Sequence, residues 1–539
     1  MSSSSVTPAH SNLMPAPPVL SRISDYAHHY AVRAGASTAV RLGGTALSYA
    51  RLAEEIDATA LALLALGVRK GDRVATLQTP RPEFFTAFLA TASIGAVWVG
   101  LNPRYRLGEL LAVIRDARPR VLLTRASIDG RSYRGDLEAI AAELGGALQI
   151  VVFEGEAAVA AARSHAEFIA GGASVSHETL SGARHDCGGR DPCLIVYTSG
   201  TTGAPKGAVL HHAGLVRFSL AQNVLWPLNP VRVLNYFPIN HVGCVADMAC
   251  PALVAGGEQV FLEHFDVEAS LHLMAEWQVT LWGSVPSVFQ MQLASPACAR
   301  TDFSSVQLIV WEGAAMPRDD IVRLRRICPS LATNYGMSET TSAVTVVEPT
   351  DNLDVLADSV GFPFPGVEVR LADRDGLDAA LGQPGELWAR SDLNMLGYWS
   401  NPTATAEALS SDGWLRTGDL AVRRPDGRYR IVGRIKEMYK SGGYNVYPRE
   451  IESVLEQHPA VAAVAVTAAS DPLWQEVGVA FVVARGSITE EELIAWCHER
   501  LANYKVPKRV VFLDSLPLLP IGKVDRQALR LRALQGTPT

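Results

Sequence analysis

The sequence feature that most constrains the fold is a repeated alternation of helical segments with short apolar strands. Apolar residues recur at helical spacing over 49–65, and a short apolar strand follows at 72–77. The same rhythm returns beyond residue 190, where strands are predicted at 193–197, 231–237, 259–262 and 308–311. Helices of about 10–15 residues that alternate with such strands predict a parallel sheet with crossover helices.

Two changes in composition and in the pattern of predicted elements divide the chain. From about 355 to 432, glycine, proline and short strands dominate, which predicts a smaller antiparallel or barrel-like layer. Another α/β unit begins after Gly433, and about a hundred residues can hold a core of their own. We therefore predict the main boundary at 433–437. The C-terminal unit is predicted to contain helices at 448–457 and 489–502 and strands at 461–467, 477–483 and 509–513.

The N-terminus has the composition of a leader. Residues 1–20 are rich in Ser, Pro and Ala, with no basic start and no long apolar block. They predict a disordered leader and not a signal peptide. No stretch of the chain reaches the 18 or more apolar residues of a membrane span, so no transmembrane segment is predicted.

Composition narrows the class of protein further. The chain has 539 residues, of which 48% are hydrophobic and 19% charged, and this excludes a largely disordered protein. The net charge of -7 argues against nucleic acid as a partner. The seven cysteines are odd in number and contain no C-x-x-C pair, which argues against a disulfide framework and predicts a cytoplasmic location.

The most informative segment is Tyr197–Gly207, with the sequence YTSGTTGAPKG, which directly follows an apolar strand. Glycines let the backbone approach a ligand closely, successive N–H groups bind anions, and Lys206 adds a mobile charge. Gly207 stands where a Walker loop needs Ser or Thr, so this is a different phosphate loop. The alternative is a flexible surface loop. The preceding strand, the stiffening Pro205 and the lysine favour polyphosphate binding.

Four further segments carry polar residues at informative positions. They are N-Y-G-M-S-E-T-T at 334–341, W-L-R-T-G-D-L at 414–420, the glycine- and charge-rich stretch 433–452, and L-P-L-L-P-I-G-K-V-D-R at 516–526. Taken singly, Glu339 is an ordinary helix-start carboxylate and Asp419 an ordinary turn residue. Lys523 alone is most simply an exposed lysine.

In this order, the five segments resemble the signature motifs of the adenylate-forming superfamily, which contains acyl-CoA synthetases, nonribosomal-peptide adenylation domains and luciferases. The resemblance covers nearly the whole chain, since segments at 47–52, 71–75 and 101–104 also look like family elements. It implies an α/β fold with a large N-terminal domain at 21–433, built of stacked mixed or parallel sheets with helices and a small β-rich subdomain. A hinge at 434–437 then leads to a small, mobile α+β C-terminal domain at 438–539.

The resemblance also implies a site for ATP. Glu339 is expected to bind Mg²⁺, Thr340 the α-phosphate, and Asp419 both ribose hydroxyls. Tyr335 is expected to stack on adenine, and Asn334 is expected to form a hydrogen bond with the adenine amino group. The other residues expected to contact ATP or AMP are Thr198, Ser199, Gly200, Thr201, Thr202, Gly203, Lys206, Gly313, Ala314, Ala315, Gly336 and Arg434.

Further roles follow from the same resemblance. Lys523 corresponds to the catalytic lysine of adenylation, although Ile521 stands where many members carry Thr or Ser. Lys436 falls at the hinge position, and Gly442 and Gly443 match the turn that approaches the CoA pantetheine arm.

An acyl pocket is expected as well. The residues expected to line it are His241, Val242, Gly243, Trp311 and Met337. For His241 the alternative is a structural histidine, and for Trp311 it is core packing at the end of a strand.

The function implied is ATP-dependent, Mg²⁺-dependent ligation of a carboxylic acid to coenzyme A through an acyl-adenylate. An alternative is an enzyme that loads the acid onto the phosphopantetheine arm of a separate carrier protein. A luciferase-like oxidation and a non-catalytic nucleotide-binding relative are weaker alternatives. The acid itself stays open among medium-chain, branched, aromatic and polycyclic types. A homodimer is compatible with these expectations, but the sequence does not determine the oligomeric state.

Overall fold

A computed structural model describes residues 17–154, 162–198, 205–519 and 522–535. The N-terminal part contains two extended sheets that carry most of the hydrophobic core. In the seven-stranded sheet, all neighbours are parallel except the first pair. Its strands, in spatial order, are Lys206–His211, Pro192–Thr198, Val97–Leu101, Arg73–Leu77, Val121–Thr124, Gln149–Val152 and Arg163–Ser164.

The second extended sheet has nine strands, with a parallel centre and antiparallel ends. In spatial order these are Phe362–Pro363, Ser342–Thr350, Leu331–Met337, Leu308–Trp311, Leu281–Ser284, Arg232–Asn235, Glu258–Phe261, Thr38–Leu42 and Thr45–Ser48. A small hairpin joins Ser127–Ile128 to Arg131–Ser132. The predicted mixed and parallel sheets with crossover connections are confirmed.

Helices cover these sheets as the apolar spacing predicted. In Tyr49–Ala65, the side chains of Leu52, Ile56, Ala60 and Leu63 are all buried, and the Ser48 hydroxyl caps the first turn by accepting from Arg51 N. The other α-helices of this part are Asp25–Ala34, Pro82–Ser93, Leu107–Ala117, Arg134–Leu144, His165–Gly171, His177–His185, His212–Leu225, Cys250–Val254, Val267–Glu276, Pro286–Ala294, Arg318–Ile327, Leu353–Asp358 and Pro402–Ala408. Short 3₁₀ turns occur at Gly145–Ala147, Gly172–Ser174, Cys298–Arg300 and Ser338–Thr340, and a π-helix at Gly243–Ala249.

The segment predicted as a small β layer forms a four-stranded antiparallel sheet. Its strands are Glu368–Ala372, Gly385–Arg390, Leu415–Arg423 and Tyr429–Arg434. Its last strand ends where the predicted hinge begins.

The C-terminal part has a five-stranded sheet and cores of its own. The strands are Tyr444–Val446, Tyr439–Ser441, Gln475–Ala484, Val461–Asp471 and Arg509–Phe512, and the helices are Pro448–Leu455, Glu490–His498 and Arg526–Gln535. The helix predicted at 489–502 is shorter than expected. Thr489 caps its start by accepting from Glu492 N, and a 3₁₀ turn at Asn503–Lys505 follows its end.

The expected leader needs a second correction. Tyr26, in the first helix, donates its hydroxyl to the carbonyl of Pro18 at 2.6 Å and accepts from Leu20 N at 3.2 Å. Residues 18–20 therefore pack against the fold and do not belong to a disordered segment. Residues 1–16 lie outside the described part of the chain.

Two smaller observations complete the architecture. All seven cysteines are unpaired, and six of them are buried. Within the described ranges, we find no helix that is both long enough and apolar enough to cross a bilayer.

Candidate active site

The carboxyl ends of adjacent parallel strands bring several of the predicted nucleotide-binding residues together. Gly313 follows the strand Leu308–Trp311, and Asn334 and Tyr335 lie in its neighbour Leu331–Met337. Open parallel sheets bind ligands at this edge of the sheet. Gly313, Ala314 and Ala315 are exposed here, while Gly336 is partly buried.

Asp419, Arg434 and Tyr335 form one corner of the site. Asp419 and Arg434 face each other across two antiparallel strands, and Arg434 Nε lies 2.9 Å from Asp419 Oδ1. The Tyr335 hydroxyl donates to Asp419 Oδ2 at 2.7 Å. Burial, and the nearby Asp419 carboxylate, raise the pKa of Tyr335 well above its usual value, so its hydroxyl stays protonated. Asp419 is therefore held in one orientation by a cation and a neutral donor.

Glu339 and Thr340 lie side by side in the 3₁₀ turn that follows Met337. Glu339 is buried, and its Oε1 accepts from the Tyr398 hydroxyl at 2.8 Å. Burial raises the pKa of Glu339, because a carboxylate loses hydration there. The Thr340 hydroxyl lies 2.9 Å from the carbonyl oxygen of Met337 and 3.0 Å from that of Ser342. Its α-phosphate contact stays a prediction.

Only the two ends of the predicted phosphate loop are described. Thr198 and Lys206 are paired in neighbouring antiparallel strands, and the Thr198 hydroxyl donates to the Lys206 carbonyl at 3.4 Å. Lys206 Nζ lies 5.3 Å from the centre of the Tyr398 ring, which places it near Glu339. The residues between them that we predicted to bind phosphate, Ser199, Gly200, Thr201, Thr202 and Gly203, lie outside the described residues.

Lys523 reaches into this site from the C-terminal domain. A Cβ added to Gly313 would lie 2.6 Å from Lys523 Cε and 3.2 Å from its Nζ, so the lysine passes directly over this glycine. The Ser287 hydroxyl donates to the Gly522 carbonyl at 2.6 Å, and Leu519 N donates to the Lys523 carbonyl at 2.7 Å. The interpretation of Lys523 as an ordinary exposed lysine is therefore wrong.

Groups of both charge signs influence the pKa of Lys523. Burial and the nearby Arg434 guanidinium lower the pKa of Lys523, because both disfavour its charged form. The carboxyl groups of Glu312, Asp419 and Asp247 act in the opposite direction. The lysine therefore connects the Asp419 corner with a second group of carboxyls.

That second group, Asp247 and Glu312, was missed by our sequence analysis. Asp247 lies in the π-helix Gly243–Ala249, and Glu312 directly precedes Gly313. The Asn334 amide donates to Glu312 Oε1 at 2.9 Å, which gives this residue a partner that we had not predicted. Burial raises the pKa of both carboxyls, and each lies close enough to influence the other. A single charged residue in the apolar run CVADMAC was the available signal for Asp247.

The predicted acyl-pocket residues divide into two groups. His241 accepts from Gly243 N through Nδ1 at 2.9 Å, and burial, with the Lys523 charge nearby, lowers the pKa of His241 to about 3. His241 is therefore neutral. Val242 and Gly243 are buried beside it, and Met337 is partly buried.

Trp311 belongs to the other group. It is only 1% exposed and pairs with Ser284 and Thr333 inside the sheet. The alternative that Trp311 packs in the core therefore fits its surroundings, and its role in an acyl pocket stays a prediction.

The predicted hinge and the glycine turn lie at the start of the C-terminal domain. Lys436 is exposed in a turn where the N–H groups of Glu437 and Met438 both donate to the Arg434 carbonyl at 3.1 Å. Gly442 and Gly443 form the turn of a β-hairpin, and Gly442 N donates to the Trp474 carbonyl at 2.9 Å. Their roles toward CoA stay predictions.

Comparison with known proteins places the chain in a family. Residues 27–399 match the family described as AMP-binding enzyme, and residues 450–523 match the AMP-binding enzyme C-terminal domain. The chain is 36% identical over 499 residues to a feruloyl-CoA synthase from an Amycolatopsis species, covering 92% of this chain and 96% of that protein. It is 33% identical over 522 residues to an indoleacetate–CoA ligase from Aromatoleum aromaticum, covering 94% and 97%.

A solved structure agrees with these relatives. ATP-bound MatB from Rhodopseudomonas palustris matches with a TM-score of 0.83 at 30% identity, covering 95% of this chain and 99% of that one. The predicted family and fold are confirmed. The chain belongs to the AMP-binding, adenylate-forming superfamily, and it is an AMP-forming acyl-CoA ligase.

Proposed function

We propose that this chain activates a carboxylic acid with Mg²⁺-ATP and transfers the acyl group to coenzyme A within the site formed around Lys523. In the first half-reaction, a carboxylate oxygen attacks the α-phosphorus of ATP, and pyrophosphate leaves with the electrons of the broken P–O bond. In the second, the CoA thiolate attacks the acyl carbonyl carbon, AMP leaves, and the thiol proton passes to solvent. The observation that carries this proposal is Lys523 lying over Gly313, beside the Asp419–Arg434 pair.

Asp419 and Tyr335 are the proposed ribose and adenine contacts. Asp419 carries two acceptor oxygens that are already oriented by Arg434 and Tyr335, which suits recognition of two adjacent hydroxyls. Lys206 and Lys523 are the proposed cations for the phosphates. Charge that develops on phosphate oxygens is stabilised by such pre-positioned cations.

Glu339 is the proposed ligand of Mg²⁺. Its buried carboxylate accepts from the Tyr398 hydroxyl on Oε1 and from its own backbone N–H, and oxygen lone pairs remain for a hard cation. Within the described ranges, no group of three His, Cys, Asp or Glu side chains converges to hold a metal. The other ligands would therefore be water and phosphate oxygens, as is usual for Mg²⁺. Bound there, Mg²⁺ supplies charge neutralisation on the phosphates.

The second half-reaction requires Lys523 to leave the site. We propose that the C-terminal domain, residues 438–539, rotates about 434–437 and brings the Gly442–Gly443 turn toward the acyl-adenylate. Lys436 lies in the exposed turn of this segment. Gating of this kind commonly limits turnover.

We also propose that the protein works in the cytoplasm, because none of its seven cysteines is paired. Fractionation of the source cells tests this location. A homodimer is a further proposal, and sedimentation of the purified chain tests it.

The test of the function is pyrophosphate release with ATP and Mg²⁺ across a panel of carboxylic acids, each with and without CoA. We expect multiple-turnover release only with CoA, together with a thioester product. Release without a thioester would favour loading of a separate carrier protein. A panel in which no acid gives release would contradict the proposal.

A further inference from the structure

The carboxyls of Asp247 and Glu312 form a polar wall beside the reacting centre that the proposed ATP contacts do not use. Asp247 belongs to a π-helical turn, a rare geometry that occurs frequently at functional sites. Glu312 lies at the carboxyl end of a central parallel strand, between that turn and Gly313. Glu312 directly precedes Gly313, over which Lys523 passes, and the charge of Lys523 acts on both carboxyls.

This wall has unused hydrogen-bonding capacity. Asp247 is only 7% exposed, and its Oδ1 has no hydrogen-bond partner in the described part of the chain. Glu312 receives the Asn334 amide on Oε1 and is also hydrogen-bonded to Asp247, which in turn is hydrogen-bonded to Ser342. A buried oxygen acceptor without a donor is destabilising, so a ligand group that donates to it would be favoured.

Gly243 lies between Asp247 and His241. A Cβ added to Gly243 would lie 3.7 Å from Asp247 Oδ2 and 3.0 Å from His241 Nδ1, so a larger residue at this position would crowd His241. The neutral His241 uses its Nδ1 to accept from Gly243 N and supplies no cation to the acid pair.

The chemistry of this wall does not suit a plain hydrocarbon acyl group. An alkyl or unsubstituted aryl chain placed against Asp247 and Glu312 would remove water from two carboxyls and return no hydrogen bond. A hydroxyl or amino group on the acyl part would instead donate to them. Such a site discriminates strongly against analogues that lack the donor, because its own polar groups are then left unpaired.

We propose that Asp247 and Glu312 select carboxylic acids whose acyl part carries a hydrogen-bond donor, either a hydroxyl or an amino group. This inference rests on the proposed function, since it concerns the acid that the same site activates. Asp247 Oδ1 accepts the donor, and Asn334 keeps Glu312 oriented beside it.

The experiment compares matched acids in the pyrophosphate-release assay. Aromatic and medium-chain acids are each supplied in unsubstituted, hydroxyl, amino and fluoro forms, and the fluoro form controls for size without a donor. We expect kcat/KM for a hydroxyl or amino acid to exceed that of its fluoro counterpart by about tenfold or more. The position and type of the best substituent distinguish a hydroxyl ligand from an amine.

Two variants and one control connect the preference to these residues. Asp247→Asn and Glu312→Gln should each reduce the donor-to-fluoro ratio of kcat/KM by about tenfold. Asp320→Asn, which alters a buried aspartate that accepts from Gln290 on another helix, should leave the ratio unchanged. Because the readout is a ratio, partial misfolding of a variant does not affect it.

The outcomes separate this inference from the proposed function. Pyrophosphate release with equal or better use of acids that lack a donor overturns the inference and leaves the ligase function intact. A preference that survives in both variants also overturns the assignment to Asp247 and Glu312. No release with any acid would contradict the function itself.

Discussion

Two carboxylate sites near Lys523 differ in how completely they are hydrogen-bonded. Asp419 has Arg434 on one oxygen and Tyr335 on the other, at 2.9 and 2.7 Å. Among the described residues, Asp247 Oδ1 has no hydrogen-bond partner, while Glu312 is hydrogen-bonded by the Asn334 amide and by Asp247. The first site is held in place by a cation and a neutral donor, which suits the proposed recognition of ribose hydroxyls. The second retains one acceptor oxygen, to which the proposed substrate donor would bind.

Removing the cation between the two sites should have the largest effect. We expect Lys523→Ala to slow adenylation by about 10²–10³-fold, because a positioned charge on the phosphates is lost. Thioester formation from supplied acyl-AMP should persist, since the lysine must leave before that step. Separate assays of the two half-reactions measure this. Lys508→Ala, which alters a lysine that donates to Asn503, serves as control. Equal loss of both half-reactions would contradict the assignment.

Displacing the lysine without removing it sharpens the same comparison. A methyl group at Gly313 would lie 2.6 Å from Lys523 Cε, and its φ of +82° adds strain for any other residue. We expect Gly313→Ala to slow adenylation by about 10–100-fold, or about 1–3 kcal/mol. Pyrophosphate exchange measures this.

The matched control for that variant is Gly376→Ala. Gly376 has a similar φ of +77°, but no atom lies within 4 Å of an added Cβ. It should therefore reproduce the backbone strain without the clash. If the two variants behave alike, the contact with Lys523 is not the cause.

A third prediction tests the incomplete site through stability. Burial raises the pKa of Glu312, so the folded protein binds this proton more tightly than the unfolded chain does. The favourable contribution of Glu312 to the free energy of unfolding is present at low pH. It is lost as pH rises through the raised pKa. We expect Glu312→Gln to reduce this loss by about 1 kcal/mol.

Thermal unfolding of the wild type and of Glu312→Gln at about pH 4 to 8, a range that spans carboxyl titration, measures the difference in stability. Glu348→Gln, at an exposed position, is the control and should follow the wild-type curve. Parallel curves for wild type and Glu312→Gln would show that this carboxyl is not held protonated by the fold.

The smallest effect is expected at the contact between domains. Arg485 in the C-terminal domain lies 2.9 Å from Asp319 in the large domain, and both side chains are exposed. Exposed ion pairs contribute about 0.2–1 kcal/mol. Arg485→Ala should therefore change the ratio of the two half-reaction rates by less than about fivefold. Arg500→Ala, whose partner Glu499 lies in the same domain, is the control. A tenfold change would mean that this pair holds Lys523 in place.

The sequence predicted the parts of this molecule whose signals are local. The Tyr197–Gly207 motif, the Asp419 turn and the Gly522–Lys523 pair each lie in one short segment, and the alternation of strands and helices follows from side-chain periodicity. Family resemblance then supplied the roles of these residues. The site roles themselves stay predictions, but Asp419, Arg434, Tyr335 and Lys523 do lie together.

What the sequence did not reveal depends on contacts between distant segments. Asp247 and Glu312 are 65 positions apart, and only the sheet edge and the π-helical turn bring them together. The orientation of Trp311 depends on strand register, which its apolar neighbours do not determine. Residues 18–20 looked like a leader because the Tyr26 hydroxyl that holds them lies in the next element.

The contacts that hold the Gly522–Lys523 loop against the large domain are polar. Ser287 holds it through a hydrogen bond to a carbonyl, and Arg485–Asp319 is an exposed ion pair. Such polar contacts exchange for water at small net cost. In the proposed rotation of residues 438–539 these two contacts would be broken, and a difference in ligand affinity between the two arrangements would shift their populations. On that proposal, loss of pyrophosphate would favour the arrangement that carries out the second half-reaction.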